Sequence, residues 1–290
     1  MDLLPDRASV VDETPPRRRP RLTRAGWAAI VLVAWTLAVT GFAVRAVRDG
    51  RATAPEQMSL PRALSAADLL AGDLMAAVDA ALTVAVMGEY QEVGSSCRIT
   101  AVRAGSRYER LVTAYVAPGA EADLLSFLAS GLAERYETHL TRSADGPVFT
   151  AIDRSFVSLR GVSERPGEVK IIIDTGCRPG GFPEPARPGV DQAPSTLRSA
   201  ATAAFAAIGL TPGHWAAVSV PCRTGGTTWT VRAWAEGPSD ALPTALRDLG
   251  KDTVVVEQPT AVAYRAGDAG TAVRDVDHVV VVASTAVCVG

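Results

Sequence analysis

Val169-Lys170-Ile171-Ile172-Ile173-Asp174-Thr175-Gly176-Cys177 and Val279-Val280-Val281-Val282-Ala283-Ser284-Thr285-Ala286-Val287-Cys288 share one pattern, a β-branched run that closes on a cysteine. Far upstream of each stands a Cys-Arg pair, Cys97-Arg98 and Cys222-Arg223, so the four cysteines of the 290-residue chain divide two and two. Near-continuous apolar runs such as Ile171–Ile173 and Val279–Val282 are those of central strands, because a strand with one wet face alternates instead.

Outward from these runs the same order of elements recurs. In the first half, a helix near Ser65 is signalled by the capping pair Ser65 and Asp68 and by Leu70, Leu74, Val78 and Leu82, and should stop near Gly88. Two strands, Cys97–Arg103 and Tyr108–Val116, are expected to pair as a hairpin through Ala104–Arg107. A helix over Ala120 to His139 follows, then strands at Val148–Ile152, Phe156–Val162 and Glu168–Thr175. In the second half the order restarts with a helix at Ser195–Ile208 and strands at Trp215–Val220 and Thr227–Ala235. A helix at Ser239–Leu249 and strands at Thr253–Val256, Ala261–Arg265 and His278–Ala283 complete it. Hairpin spacing with helices set between groups of strands predicts an α+β fold with two tandem duplicated domains. Each is expected to be one antiparallel sheet carrying two helices on one face and one disulfide.

The duplication also selects a cysteine pairing. Four cysteines allow three connectivities, and matched positions favour Cys97 with Cys177 and Cys222 with Cys288. Closing an 80-residue loop is worth roughly 4–5 kcal/mol in the chain-entropy model. No Cys-x-x-Cys occurs, so the metal-ligand spacing of a structural zinc site is missing from the sequence.

Residues 25–44 hold no charge, and a helix of ~20 residues spans the ~30 Å hydrocarbon core of a bilayer. Arg17, Arg18, Arg19, Arg21 and Arg24 flank it on one side against Arg45, Arg48 and Arg51 on the other, which places the N-terminus in the cytoplasm. Disulfides after the span place the rest in an oxidising space. The length of the span, and Pro55 after the nearest small-x-small site, favour an uncleaved anchor over a signal peptide. The organisation expected is a disordered tail at 1–24, a transmembrane helix at 25–44 and a stalk at 45–62. The first repeat follows at 63–177, then a Pro/Gly linker at 178–194 and the second repeat at 195–290.

Two of the 29 basic residues are lysines, the coding bias of a GC-rich bacterial genome, and the formal charge of −2 provides no general attraction for nucleic acid. Ile171-Ile172-Ile173-Asp174-Thr175-Gly176 resembles the active-site signature of aspartic peptidases, whose two carboxylates share a proton. That resemblance implies an extracytoplasmic hydrolase acting through Asp174. Against it, the second half has Ala283-Ser284-Thr285 at the corresponding place and supplies no second carboxylate. Asp277-His278 reads as a turn entering the last strand, and no residue set points to a cofactor, a metal or a catalytic centre. Trp229 and Trp234 lie on one strand at positions that face opposite ways, and beside them Arg232 offers a charged contact. These three are the candidate binding residues. The sequence therefore points to a non-catalytic binding or accessory protein of the bacterial envelope, with another envelope protein or a cell-wall ligand as its expected partner.

Overall fold

The computed structural model describes residues 24–48, 58–80, 83–94, 97–100, 103–144, 146–181, 188–237, 242–250 and 253–290. The expected tail, much of the stalk and the middle of the linker lie outside them. Helix α1 (Arg24–Arg48) contains the uncharged run and buries none of it, with Trp27, Trp35 and Phe42 at 60, 71 and 75% exposure. Residues Arg51–Gly290 form a separate compact unit.

That unit is α+β. After α2 (Leu60–Ala80) come β1 (Val84–Glu92), the short pair β2 (Cys97–Thr100) and β3 (Arg103–Gly105), and β4 (Tyr108–Tyr115). Helix α3 (Glu121–Leu132) leads to β5 (Glu137–Ser143), β6 (Gly146–Ile152), β7 (Ser158–Arg165) and β8 (Glu168–Asp174). The second half runs α4 (Ser195–Ala207), β9 (His214–Pro221), β10 (Thr227–Glu236), α5 (Leu242–Leu246), β11 (Val254–Gln258), β12 (Ala261–Ala266), β13 (Ala269–Val276) and β14 (Val279–Val289). One six-stranded sheet has the order β1-β4-β8-β7-β6-β5, the other β9-β10-β14-β13-β12-β11, and the two correspond strand for strand. Every pairing is antiparallel. The apolar runs Ile171–Ile173 and Val279–Val282 lie in β8 and β14, each flanked on both sides, which is why they do not alternate.

The disulfides join Cys97 to Cys177 and Cys222 to Cys288, with Cα–Cα distances of 5.7 and 5.6 Å. In each half the bond ties the connection between the first two strands to the end of the last. Next to the first, Arg178 is 1% exposed and donates to the carbonyls of Thr175, Ser155 and Phe156. The stretch expected to open the linker is thus anchored at its first residue.

Several boundaries differ from expectation, each for a packing reason. The first helix begins at Leu60 and ends at Ala80, and Gly88 lies inside β1. The run Thr83-Val84-Ala85-Val86 favours extended chain, and β1 pairs with β4 along its length. The hairpin expected between Cys97–Arg103 and Tyr108–Val116 does not form. Strand β4 has both edges taken by β1 and β8, so Cys97–Thr100 pairs locally with Arg103–Gly105. The helix expected to reach His139 stops at Leu132, because Thr138 and Thr141 belong to β5, paired with β6. Leu124, Leu128 and Leu132 are buried as their spacing requires. The Ala- and Gly-bearing strand β13 was not anticipated at all.

Helices α2 and α3 cover one face of the first sheet around Val112, Phe149, Leu159 and Ile171, while α4 and α5 cover the second around Ala233, Val262, Val273 and Val282. Helix α2 reaches further. It buries Leu60, Ala63, Leu64, Ala67, Leu70, Ala71, Leu74, Met75 and Val78 around most of its circumference, and Val218 and Val220 of β9 share its core. At about 1.5–3 kcal/mol for each large apolar side chain removed from water, this one helix supplies a major part of the cohesion. Polar anchors fix its azimuth. Asp68 accepts from the Tyr90 hydroxyl at 3.0 Å and from Arg110 at 2.9 Å, and Arg110 lies 3.8 Å over the Tyr90 ring. Buried Asp73 accepts from the Tyr136 hydroxyl at 2.6 Å and from Arg223 Nε at 3.0 Å. From the second sheet, Arg265 pairs with Asp79 at 2.8 Å and donates to the Thr83 carbonyl at 2.9 Å.

Close approach at Gly72 makes the shared packing possible. A Cβ there would stand 2.3 Å from the Pro221 carbonyl oxygen at the end of β9. Gly72→Ala is therefore expected to destabilise the protein by about 1–3 kcal/mol despite the better helix propensity of alanine. A lowered urea midpoint is the expected result, and an unchanged or raised one would show that α2 and β9 separate freely.

Candidate functional site

Where the face of the first sheet turned away from α2 and α3 meets the face of the second sheet turned away from α4 and α5, the second sheet presents small residues. Along its inner face run Thr230, Thr285 and Gly270, then Arg232, Ala283 and Ala272, as cross-strand neighbours. Edge strand β1 settles onto this surface. A Cβ on Gly270 would lie 3.2 Å from a Val84 methyl, and the Met87 amide donates to Thr230 Oγ1 at 3.4 Å. Val84, Tyr115, Val256, Ala263 and Ala272 form the apolar layer between the sheets.

Beside that layer the sheets diverge around a cleft of about 140 Å³. Val86, Gly88, Leu111, Thr113 and Tyr115 line it from β1 and β4, at the point where the β1 register shifts between Met87 and Tyr90. Arg232, Ala272, Arg274, Val281 and Ala283 line it from the second sheet. Val281 and Ala283 of β14 form a floor with Arg232 on β10 to one side and Arg274 on β13 to the other.

The two guanidinium groups are held differently. Arg274 lies close enough to the Tyr115 hydroxyl to act on its ionisation and has Nη1 3.7 Å from Glu168 Oε2. Glu168 is 2% exposed, Arg165 Nε approaches the same oxygen at 3.8 Å, and Oε1 has no hydrogen-bond partner among the described residues. Arg232 is half-buried, and its Nε is enclosed with no hydrogen-bond partner among the described residues. The cleft thus joins apolar walls to an excess of positive charge, the pattern of an anion site.

Of the residues singled out from the sequence, Arg232 lines the cleft and the tryptophans do not. Trp229 packs beside Leu197, Ala217 and Val231 on the helix-bearing side. Trp234 is on the face of Arg232, paired across the strands with Val281 and His214, and stacks on the His214 ring at 6.0 Å. Asp174 lies elsewhere. Its carboxylate accepts from Arg107 Nε at 3.0 Å, from Arg107 Nη2 at 2.7 Å and from the Gly176 amide at 2.8 Å. Asp277 and His278, at φ values of 53° and 66°, make the two-residue turn between β13 and β14 that a type I′ hairpin requires. Arg274, Tyr115 and Glu168 were not anticipated. Neither a protein-family model nor a curated protein matches the chain.

Burial pushes the Tyr115 hydroxyl up to about 12, opposed by Arg274 and reinforced by Glu168. Tyr136 and Tyr264 are also raised to about 12, chiefly by burial. An unfolded tyrosine ionises near ~10, so these groups contribute stability that is complete below that pH and is lost as pH rises through about 12. Tyr115→Phe should flatten the alkaline loss: between roughly pH 10 and 12 its urea midpoint should fall less steeply than that of the parent protein. Parallel slopes would show that this hydroxyl is not shielded.

Proposed function

We propose that this protein is a single-pass envelope protein in which α1 is an uncleaved membrane anchor. The arginine-rich N-terminal tail lies in the cytoplasm, and Arg51–Gly290 is an extracytoplasmic, non-catalytic binding or accessory body. The observation that carries this reading is the pairing of an unburied apolar helix with two disulfides beyond it. Ile30, Leu32, Leu37 and the aromatic residues of α1 expose apolar surface that lipid would cover. Cystines of this kind persist in oxidising compartments. The strand-for-strand correspondence of the two sheets supports an origin by tandem duplication. A cleft built from both halves then supports binding as the task of the body, with an envelope protein or a cell-wall constituent as the partner. Hydrolysis through Asp174 has less support, because its carboxylate is engaged by Arg107 and by a turn amide.

The topology has a direct check. With a tag ahead of Arg24, the full chain expressed in bacterial spheroplasts should lose its body to external protease while the tagged end survives until the membrane is permeabilised. The body released should migrate faster on a gel before reduction than after. A body protected in intact spheroplasts would sink the proposed orientation.

A further inference from the structure

We infer that the cleft between the sheets binds a small free carboxylate on a short apolar stem, gripped by Arg232 and Arg274. The inference deepens the binding reading above and rests on it.

Three observations lead there. First, Arg232 Nε is enclosed without a partner among the described residues. Burying a guanidinium nitrogen without a hydrogen bond opposes folding, and proteins keep such groups where function needs them. Second, Arg274 shares the cleft, with Glu168 its only carboxylate contact among the described residues, at 3.7 Å, and Arg165 faces that same carboxylate. The cleft wall itself carries the two guanidinium groups of Arg232 and Arg274 and no carboxylate, so an added anion relieves their repulsion. Arginine forks suit carboxylate and phosphate geometry alike.

Third, the walls and the size select between those anions. Val86, Leu111, Val281 and Ala283 surround the charges with hydrocarbon, which a short aliphatic stem would cover and a hydrated phosphate would not. The cleft, about 140 Å³, is well below the ~300–1,000 Å³ of pockets that enclose drug-sized ligands. A peptide segment would not be contained.

The test uses the full-length protein in detergent micelles, with butyrate as probe, butyramide as its uncharged counterpart and inorganic phosphate as the other anion. Butyrate should raise the thermal midpoint and give measurable heat on titration, while butyramide and phosphate do neither. Arg232→Met should weaken butyrate binding by about tenfold or more, the loss of one charge-assisted contact. Without ligand its thermal midpoint should stay level or rise, because the enclosed Nε has no hydrogen-bond partner among the described residues to lose. Arg232→Lys should keep part of the affinity.

A fall of several degrees in the ligand-free midpoint of Arg232→Met would overturn the inference, since it would make Arg232 a structural residue. Equal responses to butyrate and butyramide would overturn it by showing that charge is not read. A stronger response to phosphate would overturn the carboxylate assignment, and silence from all three probes would overturn the site. None of these outcomes bears on the protease result, which tests the membrane reading separately.

Discussion

Helix α2 packs where one helix serves two sheets, and the rest of the body depends on that double burial. A helix on the surface of a sheet needs only an apolar stripe; α2 is apolar over most of its circumference because it has partners on more than one side. Gly72 removes the side chain where β9 comes closest, and Asp68 and Asp73 hold the rotation of the helix through Tyr90, Arg110, Tyr136 and Arg223. Each carboxylate is partly or wholly withdrawn from water and is therefore paired, as buried charge must be. Asp73 joins the α3 end of the first half to the Cys-Arg pair of the second.

The same constraint produces the cleft. Once α2 fixes the halves, β1 must lie across the inner face of the second sheet, and the alanines, threonines and glycine there let it approach. Close packing holds around Val84 and Tyr115. At the irregularity after Met87, β1 departs from regular pairing, and the sheets part around Arg232 and Arg274. The anion character of this gap is thus a by-product of where contact ends. In the sheet–helix layers apolar side chains of both partners meet, and the charges buried among them, Asp73 and Arg110, are tied to Arg223 and Asp68.

Much of the framework could be read from residues alone. The disulfide pairing followed from matched cysteines, the central strands from uninterrupted β-branched runs, and α2 and α3 from four-residue apolar spacing. The errors fell where tertiary contact overrides local preference. Strand β13 contains Gly270 and two alanines, residues with poor strand preference, selected here because β1 lies against them. Residues 137–139 read as the tail of a helix until β6 is present to pair with them.

Arg232 was legible as a charge set between two tryptophans, a local pattern that carries no information on the residues it meets in the fold. Alternation along a strand separates Trp229 from Arg232, and it was enough to show that the two tryptophans cannot serve one surface. Nothing along the chain joins Arg232 to Arg274, Tyr115 or Glu168, which come from three other strands and both sheets. Periodicity, cysteine matching and the apolar span are local or repeated signals, and they were sufficient for the element types, the cystines and a lipid-compatible helix. The composition of the cleft was settled only by the packing of one sheet against the other, because side chains distant in sequence acquire a shared electrostatic environment only when the backbone between them has folded.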